Sequence, residues 1–401
     1  MESYKKVVME NTYRAEIQLK RDENKLLSSW QISAFIECLS RSYYKNELLN
    51  TIESFIRKGG DVENIFIMDE SFKLNKKFKG LNTLNLRNKV DAKTLFHIGK
   101  PIGMFPNERI IKISFLFEIF KKMNETLGSF KIAGLSKDYL SELIYYAVNN
   151  KFTIEAIKVK VLDLVKIGIN EQIQKDKKNI KMDQKKLEDV LEDSLSYPFS
   201  KYLKIESDFV NISIVKVDIL NNNINNMDKI PSELLSYFNK FKLVFDKLVR
   251  PVVGIYNPDN DIVEILCSDF IDKTSYDEQN KRFLDIRSVS RNSPLSVCAI
   301  LGVGGLTLLS KYITVKLDEK LLCENKESKV TEDKEIEKLM NEINSAIMDK
   351  ENNIDQNIAN VSQELLDKLS EANEKKFVDM AKGYGFLNEN AVLKLKKEDA
   401  I

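Results

Sequence analysis

The single histidine limits the chemistry that this chain can perform. His97 is the only histidine among 401 residues, so a hydrolytic or zinc site that needs a histidine must use it. Its neighbours Leu95, Phe96 and Ile98 are apolar, a setting typical of a structural histidine. The cysteines form no C-x-x-C pair and stand at Cys38, Cys267, Cys298 and Cys323. This composition argues against zinc hydrolases, HNH-type nucleases and zinc deaminases.

Carboxylates after a predicted strand offer a second kind of chemistry. Asp69, Glu70 and Lys73 follow the apolar run from Val62 to Met68. Such groups at a strand end can hold Mg²⁺ and position a water molecule in nucleases. The upstream aspartate and the acid-x-lysine pair of those enzymes are missing, so the residues also fit a solvated turn. A Mg²⁺-dependent phosphodiester-cleaving enzyme is kept as an alternative function.

Acidic residues also crowd around a predicted hairpin, at Asp259, Asp261, Glu264, Asp269 and Asp272. Oxygen ligands of this kind suit Ca²⁺ or Mg²⁺. The calcium-loop pattern is absent, because Ser268 stands where a loop begun at Asn257 needs its glutamate. The glycines of Gly302-Val303-Gly304-Gly305 lack the lysine spacing of a phosphate loop. The sequence therefore predicts no catalytic residue, no metal ligand and no cofactor.

Charge balance and the start of the chain bear on partners and compartment. With 62 basic and 61 acidic residues, the chain lacks the basic excess typical of proteins that bind duplex nucleic acid. The lysines from Lys175 to Lys186 are followed by acidic residues, as on a solvated helical face. Met1 to Lys6 is not followed by the apolar region of a secretory signal. We expect a cytoplasmic protein with reduced thiols.

One uncharged stretch, Asn292 to Ser310, approaches the length of a membrane span. It contains Pro294 and three glycines, and it is short for a helix that crosses a bilayer. Membrane contact is therefore not expected. An effector with a membrane-inserting helix from Pro294 to Ile313 is kept as a further alternative.

Local periodicity predicts an α+β fold, with small antiparallel sheets packed with helices and a long helical C-terminal segment. Alternating residues from Tyr13 to Lys20 predict a strand, and helical spacing predicts helices at Ser28 to Arg57 and Glu108 to Leu127. Val252 to Leu266 predicts a hairpin, because proline, asparagine and aspartate occupy its turn. Phe283 to Ser290 is predicted as a third strand of the same sheet.

The length indicates more than one domain, since a single core stops growing well below it. Shifts in composition predict an N-terminal mixed α/β domain at 1–130 and a helical middle at 131–200. They also predict an α/β domain with the hairpin at 201–325 and a helical, coiled-coil-like segment at 326–401.

The C-terminal segment carries apolar residues in steps of three, four and seven. Such spacing is typical of a helical seam, which must be covered by other apolar groups. The seam consists of Ile336, Met340, Ile343, Ile347, Ile354, Ile358, Val361, Leu365 and Leu369. The cover can come from the chain's own body or from a second chain. We expect a protein partner or a homo-oligomer through this helix, and a folded monomer after truncation at Asn325.

A predicted strand runs into Asn292, Ser293 and Pro294 and then into an apolar, glycine-containing segment. Here, from Phe283 to Ile313, the chain resembles a strand–Asn-Ser-Pro–apolar helix module of bacterial accessory proteins without a firm activity. The resemblance implies a bacterial accessory protein of an antiphage defence or stress system, and it supplies no catalytic residue. Ser293 can cap a helix and Pro294 can occupy its first turn.

Together these observations favour a function without catalysis. The leading hypothesis is an interaction or regulatory subunit that works through protein–protein contacts. The rival hypotheses are the Mg²⁺-dependent enzyme built on Asp69 and Glu70 and the membrane-inserting effector.

Overall fold

The computed structural model describes residues 13–20, 27–72, 81–150, 152–176, 185–186, 189–203, 232–268, 285–290, 296–301, 314–317, 356–386 and 392–397. These residues form helices and two five-stranded sheets, so the α+β fold class predicted from the sequence is confirmed. The chain divides into two compact units. Unit 1 combines Met1–Gly60 with Lys273–Ile401, and unit 2 is the continuous stretch Asp61–Asp272.

The sheet of unit 1 is built around the N-terminal strand. Strand β1 (Tyr13–Lys20) pairs antiparallel with β8 (Ser296–Leu301) on one side and with β10 (Val392–Lys397) on the other. The outer strands are β7 (Asp285–Ser290), antiparallel to β8, and β9 (Thr314–Leu317), parallel to β10. The strand predicted from the alternation after Tyr13 is therefore a central strand.

Two long helices of unit 1 lie side by side. Helix α1 (Ser29–Arg57) begins at a capping box formed by Ser28 and Gln31. Helix α8 (Gln356–Gly383) packs against it. The Asn373 side-chain amide donates to the Ser42 carbonyl at 2.9 Å, and Phe35 stacks on Phe386 with ring centroids 4.1 Å apart. The earlier residue Phe35 thus meets the later residue Phe386, and the later residue Ser42 meets the earlier residue Asn373. The two helices therefore run antiparallel.

The sheet of unit 2 has the order β3 (Thr83–Asn85), β6 (Ile262–Ile265), β5 (Val253–Asn257), β2 (Ile65–Met68) and β4 (Pro101–Gly103). All neighbouring strands are antiparallel. All four residues of β2 are buried, as expected for an inner strand. Strands β5 and β6 form the predicted hairpin, which is therefore confirmed.

The helices of unit 2 are α2 (Lys89–Phe96), α3 (Glu108–Ser129), α4 (Lys137–Asn149), α5 (Ile154–Asp176), α6 (189–203) and α7 (Ser232–Lys247). Helices α2 and α3 begin at Asn88 and Asn107, whose side chains accept backbone N–H groups of the first turn. Helices α3 and α7 pack on β4. Helix α6 lies antiparallel to α3, with Phe199 meeting Phe115 and Ser194 meeting Thr126.

Two predictions about the segment after the hairpin are wrong. The predicted third strand exists as β7, but it lies in the sheet of unit 1 and not beside the hairpin. The segment after Pro294 was expected to begin a helix, yet Ser296–Leu301 is strand β8. A short apolar run does not by its period distinguish a buried strand from a buried helix. Here β7 and β1 supply backbone partners on both sides.

The membrane-inserting helix proposed from Pro294 to Ile313 is contradicted in its first part, because Ser296–Leu301 is strand β8. In the described ranges, no helix is long and apolar enough to cross a bilayer. The rest of that segment, 302–313, lies outside the described residues.

The contact-defined units cut across the predicted segments. Segments 1–130 and 201–325 each contribute to both units, because the boundaries of unit 2 fall at Asp61 and Asp272. The cause is the pairing of β1 with β8 and β10. Local composition carries no information about which distant strands will pair.

Candidate interaction surface

Asp69 and Glu70 follow β2, as the sequence predicts, but their side chains are used within the chain. One carboxylate oxygen of Asp69 accepts the backbone N–H of Lys100 at 2.7 Å. Gly99 lies against this carboxylate with a φ of 152°, and a Cβ at that position would collide with it. Asp69 therefore fixes the connection between α2 and β4. Glu70 lies 3.4 Å from the Lys137 ammonium, and both side chains are partly exposed.

His97 caps the C-terminal end of α2 and connects it to α4. Its Nε2 atom lies 3.0 Å from Oδ1 of Asp138, which also accepts from Lys93 at 2.7 Å. The hydrogen bond from Lys93 holds the pKa of Asp138 below its ordinary value. The Lys137 ammonium donates to the His97 carbonyl at 3.3 Å. Glu70 and Asp138 thus each form an ion pair with a lysine.

No group of three or more His, Cys, Asp or Glu side chains is placed to hold a metal ion in the part of the chain that the structure describes. Asp69 accepts the Lys100 N–H, Glu70 pairs with Lys137, and Asp138 pairs with Lys93. Ion pairs thus connect Glu70 with Lys137 at the start of α4 and Lys93 of α2 with Asp138 of α4.

The acidic hairpin contains one buried carboxylate. Asp261 is 3% exposed at its side chain and accepts hydrogen bonds from the Tyr256 hydroxyl at 2.5 Å, from Arg87 at 2.9 Å and from Arg109 at 3.1 Å. We call these four residues the Asp261 network. Asp259 and Glu264 belong to the same hairpin, whereas Asp269 and Asp272 lie outside the described residues.

Burial and the neighbouring positive charges shift the pKa of Asp261 in opposite directions. Burial alone would raise the pKa of Asp261, but the hydrogen bonds from Tyr256 and Arg87 and the two guanidinium charges outweigh it, so the pKa is lowered. Burial raises the pKa of Tyr256 to about 12, and its hydrogen bond to Asp261 acts in the same direction. Asp261 is thus ionised and Tyr256 neutral at neutral pH. The network ties the hairpin to the starts of α2 and α3.

Helices α2, α4 and α5 together form one surface, with α4 in the middle. Glu142 of α4 pairs with Lys89 of α2 and lies 3.9 Å from Lys160 of α5. The same lysine stands 5.4 Å above the ring of Tyr146, and the Tyr139 hydroxyl donates to Glu171 at 2.7 Å. We call this surface the three-helix face. Its members are Lys89, Val90, Tyr139, Glu142, Tyr146, Lys160, Ile167 and Glu171.

The three-helix face combines exposed apolar groups with paired charges. The exposed fractions are 69% for Val90 and 49% for Ile167, and both tyrosines are half-buried. Tyrosines that show a ring edge and a hydroxyl beside apolar groups are enriched at protein–protein interfaces. Trp30 and Tyr197 are more exposed, at 84% and 71%, but neither is flanked in sequence by an exposed large apolar residue.

Sequence reasoning did not find the three-helix face. A stripe of helical spacing shows that α4 is amphipathic, but it does not show that α2 and α5 will flank it. The usable signal was the tyrosine content of Tyr139 to Tyr146. Tyrosine on a helix is equally compatible with a core position. Only the tertiary contacts show that these tyrosines lie at the surface.

The predicted C-terminal seam is only partly described. Leu365 and Leu369 are fully buried on α8, which packs on α1, so the chain itself covers them. Ile358 and Val361 lie within α8. The remaining seam residues, Ile336, Met340, Ile343, Ile347 and Ile354, lie outside the described residues, as do Asn292, Ser293 and Pro294.

Comparisons with known proteins give no match: no protein-family model, no curated protein and no solved structure is similar to this chain. The resemblance from Phe283 to Ile313 therefore stays a prediction.

Proposed function

We propose that the protein is a cytoplasmic interaction or regulatory subunit that works through protein–protein contacts and has no catalytic site of its own. The observation that carries the proposal is the three-helix face, which contains the exposed residues Val90 and Ile167 and two half-buried tyrosines. Burying such apolar area against a partner contributes about 25 cal/mol per Å² before the costs of association.

The charges of this face favour a protein partner over a nucleic acid. Lys89 and Lys160 both meet Glu142, and Glu171 accepts from Tyr139. A phosphate backbone attracts a basic excess, whereas this surface has its cations next to carboxylates. Paired charges of this kind are typical of the polar rim around the apolar centre of an interface.

The resemblance from Phe283 to Ile313 supports a more specific role. It would make the protein a bacterial accessory subunit of a defence or stress system, with the three-helix face as its contact to another component. The C-terminal seam from Ile336 to Ile354 remains a candidate for self-association, separate from Leu365 and Leu369.

The proposal is tested by isolating the full chain from its native cells with bound partners and repeating the isolation with variants. Val90→Glu and Ile167→Glu place charge on the three-helix face and should abolish co-isolation of a stoichiometric partner. Leu243→Glu is the matched control, since Leu243 is an exposed apolar residue, 68% exposed, on α7 of the same unit. Retention of the partner by both face variants, or its loss in the control alone, would contradict the proposal.

A further inference from the structure

The Asp261 network holds two arginines on one carboxylate. Arg87 donates through Nε to one oxygen of Asp261, and Arg109 donates through Nη2 to the other. In the described part of the chain, Asp261 is the only carboxylate that either guanidinium contacts. Since the two oxygens of a carboxylate are close together, the two guanidinium groups are held side by side.

This arrangement leaves an excess of positive charge. One carboxylate neutralises one guanidinium, and two neighbouring cations repel each other. The acidic side chains in the first turns of α2 and α3 are engaged elsewhere. Asp91 accepts the Asn85 N–H at 3.0 Å, and Glu108 pairs with Lys112. The second guanidinium charge is therefore available to an anion from solution.

The arginines also keep hydrogen-bond donors for such an anion. Among the described residues Arg87 donates only through Nε, so its two terminal nitrogens keep their donors, and its side chain is 55% exposed. Arg109 donates through Nε to the Tyr256 hydroxyl and through Nη2 to Asp261, and its Nη1 has no acceptor among the described residues. A guanidinium fork matches the oxygen spacing of a phosphate group, and a fork already fixed by Asp261 loses less entropy on binding.

We propose that Arg87 and Arg109 form a binding site for a phosphate group at the solvent-facing side of the Asp261 network. Arg87 supplies its terminal nitrogens and Arg109 the second charge, while Asp261 and Tyr256 orient them. The proposal is independent of the three-helix face and of any protein partner.

The direct test follows the arginine Nε–Hε signals of the full chain by NMR during titration with inorganic phosphate, with sodium chloride at equal ionic strength as the comparison. The Arg87 and Arg109 signals should shift saturably with phosphate and not with chloride. Arg57 is an internal control, because Glu53 accepts from both its Nε and its Nη2, and its signal should show no saturable shift.

Two variants separate the site from general electrostatics and from loss of fold. Arg87→Lys keeps the charge but lacks the fork, and it should weaken phosphate binding at least about tenfold, while Arg87→Gln should abolish it. The remaining Arg109 signal reports whether the network stays folded in each variant. Absence of saturable shifts in the wild type, equal shifts with chloride, or unchanged affinity in Arg87→Lys would overturn the proposal. A parallel titration with phosphoserine shows whether a free ion or a phosphorylated residue binds more tightly.

Discussion

At the residue scale, Asp261 combines an unusual backbone with a buried charge. Its φ of 54° lies in the left-handed region, which aspartate and asparagine adopt more readily than most other residues. Asp261→Asn therefore keeps the backbone but removes the charge that Arg87 and Arg109 share and one of the two acceptor oxygens. We expect the free energy of unfolding to fall by about 1.5–3 kcal/mol, the value of hydrogen bonds to a charged group.

Urea unfolding followed by circular dichroism measures this difference. Asp259→Asn is the matched control in the same turn, because Asp259 is exposed, and it should change stability by less than about 0.5 kcal/mol. If Asp261→Asn lowered the free energy of unfolding as little as Asp259→Asn, the Asp261 network would not contribute to stability.

The lowered pKa of Asp261 predicts how this contribution depends on pH. A carboxyl group whose pKa in the folded state lies below its ordinary value of 3.8 stabilises the fold above that pH. The stabilisation is lost as the pH falls through the folded-state pKa. The difference in stability between wild type and Asp261→Asn should therefore be full near about pH 6 and decline below about pH 4. A difference that grows on acidification would contradict the assigned direction.

Substitution of Asp69 distinguishes its structural role from the role of a catalytic residue in a Mg²⁺-dependent enzyme. Asp69→Ala removes the acceptor for the Lys100 N–H, so we expect the free energy of unfolding to fall by about 1 kcal/mol, and we expect neither wild type nor variant to cleave nucleic acid. Incubation of wild type and variant with DNA or RNA and Mg²⁺ measures the second part. Cleavage by the wild type that disappears in a folded Asp69→Ala variant would restore the phosphodiesterase hypothesis.

At the element scale, α8 acts as a helix that covers α1 within one chain. Leu369 is fully buried on α8, so Leu369→Ala should lower the free energy of unfolding by about 2–5 kcal/mol. Because the cover comes from the same chain, the sedimentation coefficient should not change. Asp367→Ala, on the exposed side of the same helix, is the control. A shift from oligomer to monomer in Leu369→Ala would show that a second chain provides the cover.

The elements that depend on local signals could be predicted from the sequence. The alternation after Tyr13, the apolar helix from Glu108 and the turn chemistry of the hairpin each lie within one short window, and each element is present. The helix predicted after Pro294 is strand β8 instead, because β8 pairs with β1, which is distant in sequence, as well as with β7. The candidate sites were missed for the same reason, since Asp261 meets Arg87 across 174 positions.

At the scale of the whole molecule, unit 1 is discontinuous and unit 2 is continuous. The truncation after Asn325, expected from sequence to leave a folded monomer, removes α8 and β10 and thereby one neighbour of β1 and the helix that packs on α1. We now expect this truncation to unfold unit 1 and to leave unit 2 folded. Hydrogen exchange should show lost protection in α1 with unchanged protection in β2 and α3. Retained protection in α1 would contradict the structural account.

Site-specific photo-crosslinking in native cells can show whether the three-helix face contacts a protein partner. A photoreactive amino acid at Ile167 should cross-link the full chain to one defined protein, because the three-helix face is the proposed contact surface. The same amino acid at Leu243, exposed on α7, should give no such product. A defined product from Leu243 and none from Ile167 would contradict the assignment of the three-helix face as the interaction surface.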